Sequence, residues 1–586
     1  MRSMLRVNTI SLNSRKVGLL GTSALVCLAL STPVMAADFV ITSSDNTING
    51  NIGDTAIAGT PDTISLGIAL TTTGNTLVGI ATTGNTNKIN ISKTGSITTD
   101  GDDSSGIHND GDSNETTVSG SITTGPGTPS GGIWNEGDSN TTTMSGSITT
   151  TGSSAHGISN EGASNTVTIS GTVSATGTGA SALRNEGGSG NTFILDEGAT
   201  IIGAITAKAL DSLVTNNKLT LNLGQASSYA YSVGGDGEGT GTRQWTFTDQ
   251  DGRTAVATTN GTNCIANLTV CNLVTAVGSG NAIEQDELQF GMNSSMIGSL
   301  ALGSNIAGSA EVMSFAQTPQ SNAWAKIYGG SSKRAVSATQ SSFDSSNRGL
   351  TIGTPVAIND TLNVDLVFNT SRTSLDIGLT KDQEITANSY NFGAVLRDLA
   401  PASGWAVDAY GFVGRNSYDG KRKVMNNQEA TGSETVTASY SGTEVLVGVD
   451  AQYSQAIDET LNFTSGVNAS LSNEKIGAYS ESKYYSWDAR TLTQVAGGVT
   501  AGLEYHKDAF TSFASLGLQR SSLQNGKTAG YTNNGTAGSY TDTSSAATYR
   551  TATVGFSYAA DDSMNITGTA GMSRASGGIK GSSLSL

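Results

Sequence analysis

The chain reads as all-β: a right-handed parallel β-helix followed by a 12-stranded antiparallel transmembrane β-barrel. Three observations predict this. From about residue 322 onward, apolar and polar residues alternate in runs of about ten, as in Leu461 to Leu471, where Leu461, Phe463, Val467 and Leu471 alternate with Asn462, Thr464, Gly466 and Asn468. Short polar turns such as Asn359-Asp360-Thr361, Asp458-Glu459-Thr460 and Asp561-Asp562-Ser563 separate those runs in turn with longer polar loops, the asymmetry of an outer-membrane barrel. Ahead of them the sequence copies itself with a period of about 25 residues.

The first residues set the compartment. Arg2, Arg6, Arg15 and Lys16 precede an apolar run, Val17 to Leu30, and Val34-Met35-Ala36 has the small-residue pattern of a cleavage site; residues 1–36 read as a secretory signal peptide. The run is too short for the roughly 20 residues that a membrane-spanning helix needs. No later apolar run is longer, so a membrane-integral mature chain must cross with strands. The net charge of −17 argues against nucleic acid, or an anionic membrane surface, as the main partner, because either calls for basic clusters and none stands out along the sequence.

Within residues 37–280, Ile80, Ile107, Ile133, Ile158 and Leu183 are equivalent, spaced by 27, 26, 25 and 25 residues. Val118, Met144, Ile169 and Ile194 form a second apolar column, and Ile97, Ile122, Ile148 and Val173 a third. Three short strands per unit make one coil, and stacked coils bury the columns. Asn109, Asn135, Asn160 and Asn185 are expected to stack as an asparagine ladder at a corner. Gly84, Gly111, Gly137, Gly162 and Gly187, two residues further on, are expected to supply a positive φ. Asp110, Glu136, Glu161 and Glu186 form an acidic row, read as a solvated strip because calcium-binding β-rolls repeat at a much shorter period.

Neighbours along a strand face opposite ways, so His108, Trp134, Ser159 and Arg184 should point outward as a continuous strip. His108, Trp134 and Arg184 are the candidate binding residues, since aromatic and arginine side chains dominate binding hot spots. Catalytic chemistry is not expected. Gly111-Asp112-Ser113 and Gly137-Asp138-Ser139 look like serine-hydrolase fragments but recur at the same corner of successive coils, and the three histidines, His108, His156 and His506, assemble no triad. No cofactor or metal is expected. Cys264 and Cys271 are an even pair in an oxidising compartment and are predicted to form a small disulfide-closed loop.

Asn322-Ala323-Trp324-Ala325-Lys326-Ile327-Tyr328-Gly329-Gly330 is similar to the first barrel strand of the bacterial autotransporters of type V secretion, and Gly404-Trp405-Ala406-Val407-Asp408-Ala409-Tyr410-Gly411 resembles a later strand of the same domain. The resemblance covers the signal, the β-helical region and the barrel. It implies a signal peptide at 1–36, a β-helical passenger at 37–280, a linker with a candidate pore helix at 281–320 and the barrel at 321–586. The chain stops at Ser583-Leu584-Ser585-Leu586 where members usually finish on an aromatic residue, so the last strand is expected to be short. The implied partners are outer-membrane lipid, the outer-membrane assembly machinery, periplasmic chaperones, and a host surface or a second copy of the chain; nucleic acid is not among them. The implied function is export and anchoring of a surface passenger, read as an adhesin or self-association protein. A surface hydrolase or polysaccharide-cleaving enzyme and a plain structural stalk are the alternatives.

Overall fold

The computed structural model describes residues 63–207 and, short breaks aside, 323–586, with the backbone of isolated strands at 38–41, 52–54 and between 214 and 277. The segment read as a signal peptide, the expected linker with its candidate helix and Cys271 lie outside the described residues, as does the side chain of Cys264, so the disulfide expectation falls outside them too.

The first part is a parallel β-solenoid of about six turns. Its three faces are each a parallel sheet in which equivalent residues pair in register: Ile133 with Ile107 and Ile158, Ile122 with Ile97 and Ile148, and Met144 with Val118 and Ile169. These residues are fully buried and belong to one continuous apolar core. Packing drives the stacking, because no single coil can bury its own apolar face. At one position the expected column is shifted. Ile169 pairs with Leu195, while Ile194 pairs with Thr168 and is only half-buried. The coil there is one residue longer, and Gly188 rather than Gly187 lies against the carbonyl of Gly162.

The asparagine ladder forms as expected. Asn109 Nδ2 donates to Asn135 Oδ1 at 2.9 Å, Asn135 to Asn160 at 2.9 Å and Asn160 to Asn185 at 3.2 Å. A second ladder runs beside it through Asn87, Asn114, Asn140, Asn165, Asn191 and Asn217, where each backbone N–H donates to the side-chain oxygen of the next asparagine at 2.7–3.0 Å. The corner glycines act differently from the expectation. Positive φ falls two residues later, at Thr86, Ser113, Ser139 and Ser164. Gly111, Gly137 and Gly162 are needed for close approach, since a Cβ on each would sit 2.3 Å from the carbonyl oxygen of the glycine one coil back.

The second part is a closed antiparallel barrel of twelve strands. They are β1 (Trp324–Arg334), β2 (Phe343–Asn359), β3 (Leu362–Ile377), β4 (Gln383–Arg397), β5 (Trp405–Met425), β6 (Ser433–Ala456), β7 (Leu461–Ile476), β8 (Arg490–Lys507), β9 (Phe510–Asn525), β10 (Ala547–Asp561), β11 (Met564–Ala575) and β12 (Lys580–Ser585). Short as it is, β12 closes the barrel. It pairs with β1 from Tyr328↔Ser585 to Lys333↔Lys580, and Ile327 and Leu586 exchange backbone hydrogen bonds of 2.8 and 2.9 Å just beyond. Alternation holds on every strand: Val445, Val447 and Val449 face outward, while Glu444, Asp450 and Gln452 face the lumen and are buried.

The β5–β6 hairpin is the longest, with strands of 21 and 24 residues. About ten residues suffice to cross a bilayer, so its far half stands above the membrane. It carries two attachments. A small four-stranded sheet from the neighbouring loops (Tyr479–Ser480, Tyr485–Trp487, Thr528–Asn533 and Thr536–Thr541) leans on it through a ring stack in which Tyr440 lies 4.8 Å from Tyr418 and 4.1 Å from Tyr479. Arg422 there is buried against Glu481, which also accepts a hydrogen bond from Trp487 Nε1 at 3.1 Å. The hairpin tip meets the solenoid where one of its three faces ends, just after Thr200–Ile202: Gly203 N donates to Asn427 O at 2.8 Å, Asn427 Nδ2 donates to Gly203 O at 3.0 Å, and Met425 packs on the solenoid core.

Candidate functional site

Two surfaces bear on function: the outward strip of the solenoid and the lumen of the barrel. Along the strip, Trp134 pairs with His108 on one side and with Ser159 on the other, and Ser159 pairs with Arg184, so the four predicted residues do adjoin. His108 and Trp134 stack with ring centroids 4.7 Å apart and an interplanar angle of 17°. The strip is not uniformly open. Ser159 and Arg184 are 6% and 9% exposed, whereas His108 and Trp134 are partly exposed. Arg184 Nη1 sits 2.8 Å from His156 Nε2 and 3.2 Å from Glu186 Oε2, a covering that residue spacing alone could not reveal.

The acidic row is tied into this strip. His108 Nε2 lies 2.8 Å from Glu136 Oε2, and Trp134 Nε1 donates to Glu161 Oε2 at 3.1 Å, so each carboxylate reaches back one coil. Glu161 is held above the usual carboxylate range, first because it is partly buried and then because Glu186 and Glu136 repel its charge; the Trp134 hydrogen bond and Arg184 work the other way. A carboxyl raised on folding weakens the fold when ionised. That penalty is present at neutral pH and disappears as pH falls through the window between its folded and unfolded values. Glu161→Gln, whose amide oxygen can still accept from Trp134, is therefore expected to raise the melting temperature of the passenger at pH 7 and to lose that advantage below the ordinary carboxylate range. A variant that melts lower at pH 7 would show that the negative charge itself holds the strip together.

The hydrolase-like fragments take part in the bonding between coils. Asp112 Oδ1 accepts from Asp138 N at 2.8 Å, Asp138 Oδ1 accepts from Ala163 N, and Ser113 and Ser139 occupy the strained corner. His506, beside the β8–β9 turn, contacts Glu504, Asn462 and Thr511.

In the lumen, polar side chains bridge strands. Arg397 bonds Asp365 at 3.0 and 3.1 Å and Asp408 at 3.0 Å, Trp324 Nε1 donates to Asp365 at 3.4 Å, and Asn369 Nδ2 donates to Tyr328 OH at 2.8 Å. Asn416 and Tyr418 both donate to Glu474, at 2.9 and 2.6 Å. Sequence alternation marks such residues as inward but cannot say which pair, because partners such as Asp365 and Arg397 are 32 residues apart and meet only through barrel register.

An apolar outer wall, a polar lumen and short turns at one end define an outer-membrane β-barrel protein that carries a β-solenoid on the opposite end. Residues 323–571 match the family model of the autotransporter β-domain. The barrel is thus an autotransporter β-domain: it sits in the outer membrane, and the solenoid ahead of it is the passenger exported to the cell surface. Solved structures similar to it include the translocator domain of the autotransporter NalP from Neisseria meningitidis, with 17% identity, 44% of this chain and 84% of that chain covered, and a TM-score of 0.35. The transport unit of AIDA-I from Escherichia coli shares 12% identity over 50% of this chain and 96% of that one, with a TM-score of 0.34. The β-domain of the Bordetella autotransporter Brka shares 13% identity over 45% of this chain and 97% of that one, with a TM-score of 0.31. No curated protein sequence matches the chain.

Proposed function

We propose that the exported passenger is an adhesive or self-association surface and not an enzyme. The reading rests on one observation: the stacked pair His108 and Trp134, partly exposed on a regular solenoid face and braced by Glu136 and Glu161. Stacked rings held by second partners lose little side-chain entropy on binding, and tryptophan is the commonest hot-spot residue. Arg184, held by His156 and Glu186, serves as a rigid flank to the strip. Export needs no nucleotide in this scheme. The passenger emerges unfolded, and each coil that stacks outside biases movement outward, because the ladders and apolar columns form only between coils. The outer-membrane assembly machinery and periplasmic chaperones are the partners proposed for insertion.

Trp134→Ala with His108→Ala should leave surface display and protease resistance unchanged. Cell aggregation, or adhesion to host surfaces, should fall about tenfold or more, the scale of losing a hot spot. Unchanged adhesion with the whole passenger still required would place the binding surface elsewhere. Adhesion that survives deletion of the passenger would leave a stalk or an enzyme as the better reading.

A further inference from the structure

The outer wall of the barrel carries a row of cations that no stretch of sequence reveals. Arg550 pairs across strands with Arg574, Arg574 with Lys580, and Lys580 with Lys333, so four consecutive strands, β10, β11, β12 and β1, each place one positive side chain on the same register line. All four are exposed and share the lipid-facing parity of Val554, Met572, Leu584 and Ile327. They stand at the end of the barrel opposite the short turns, just above the apolar wall: Met572 precedes Arg574 by one outward step, and Leu584 follows Lys580 by two. Among the described residues, the carboxylate that pairs with this row is Asp344, 3.3 Å from Lys333 at its end. Arg348 and Arg372 form a second directly opposed pair on β2 and β3.

Like charges directly opposite on one sheet face are destabilising, with Cβ atoms only about 5 Å apart. A chain of net charge −17 that nonetheless lines up four cations this way holds an electrostatic cost in its isolated state. A ligand bearing closely spaced negative charges would relieve it. The position specifies the source: the row lies at head-group height on the outer-leaflet side, with acyl-chain contacts immediately beneath. We propose that Arg550, Arg574, Lys580 and Lys333 form a binding site for the phosphate groups of an outer-leaflet lipid, with the acyl chains lying on Met572 and Leu584. Because the row spans the seam between β12 and β1, the bound lipid also fastens the six-residue closing strand to its neighbours. Two phosphates on one head group suit the row better than a single charge, since guanidinium groups take phosphate oxygens bidentately.

The test uses the full chain in detergent, with bisphosphorylated lipid A, its fully dephosphorylated form and inorganic phosphate as probes, read by native mass spectrometry and by heat-modifiable gel mobility. Bisphosphorylated lipid A is expected to remain bound and raise the barrel's melting temperature. Dephosphorylated lipid A and inorganic phosphate at equal concentration should do neither. Arg574→Gln with Lys580→Gln should weaken retention of lipid A at least tenfold, while the lipid-free variant barrel melts no lower than the lipid-free parent because the repulsion is relieved. Should that double variant fail to insert, Lys333→Gln, at the exposed end of the row, should weaken retention about threefold. Equal retention of phosphorylated and dephosphorylated lipid would overturn the proposal, as would retention unaffected in an inserted variant. An equal response to inorganic phosphate would mean a free-ion site and would overturn the lipid assignment.

Discussion

Asn135→Leu is expected to cost the passenger about 4 kcal/mol and to open it at its middle coils. Asn135 is fully buried; its Nδ2 donates to Asn160 Oδ1 at 2.9 Å and to Thr142 Oγ1 at 3.4 Å, while its Oδ1 accepts from Asn109 Nδ2 at 2.9 Å. Leucine nearly matches the volume and supplies none of these bonds. One N–H of Asn109 Nδ2, which keeps its other bond to Thr116 Oγ1 at 3.1 Å, and the acceptor of Asn160 are then left dry and unpartnered, at about 1–3 kcal/mol each. Urea unfolding of the displayed protein should show a lower midpoint, and limited proteolysis should cut first near this coil. Because outward movement depends on coils that stay folded, surface display should also slow. A midpoint within experimental scatter of the parent would mean that water enters the corner and the ladder is not dry.

Gly432→Val should detach the solenoid from the barrel hairpin while leaving each folded. Gly432 has φ of 70°, a region in which a β-branched residue is a steric outlier, and a Cβ there would lie 2.5 Å from Thr200 Cγ2 and 3.0 Å from Ile202 Cγ1. The hairpin tip cannot hold Asn427 against Gly203 after that change. The coil at Gly203 loses both hydrogen bonds of that contact and the cover that Met425 gives to the core. Overpacking and lost bonds together amount to about 2–4 kcal/mol at this junction. Hydrogen exchange should rise at residues 200–207 and at the 426–432 tip, with the barrel's heat-modifiable migration unchanged. Protection unaltered at both sites would mean that the contact contributes nothing to the coil's stability.

Local pattern carried much of the architecture. The ladder at Asn109, Asn135, Asn160 and Asn185 was legible because it recurs at the coil period beside an apolar column. The second ladder, at Asn114, Asn140, Asn165 and Asn191, has the same period at an offset of five or six residues, so its signal was present, though polar residues in a turn invite the reading of a solvated loop. The corner glycines recur visibly in the sequence, but the reason they are needed does not show there. Turn chemistry suggests positive φ, whereas the requirement comes from a carbonyl one coil away.

Period-two alternation, the 25-residue repeat and the turn asymmetry determined by themselves that this protein is a β-solenoid joined to an outer-membrane barrel, because each reports which side of a strand faces apolar surroundings, and that is a local property of neighbouring residues. Tertiary structure decided what depends on register between distant strands. It covered Arg184 with His156 and Glu186, left His108 and Trp134 as the open part of the strip, and seated Gly203 on Asn427. It also drew Lys333, Arg550, Arg574 and Lys580, which lie on four separate strands, into one line on a chain of net charge −17. Composition averages charge over the whole chain, but a barrel closes its last strand on its first, and electrostatic fields act over ångströms of space, not over positions in sequence.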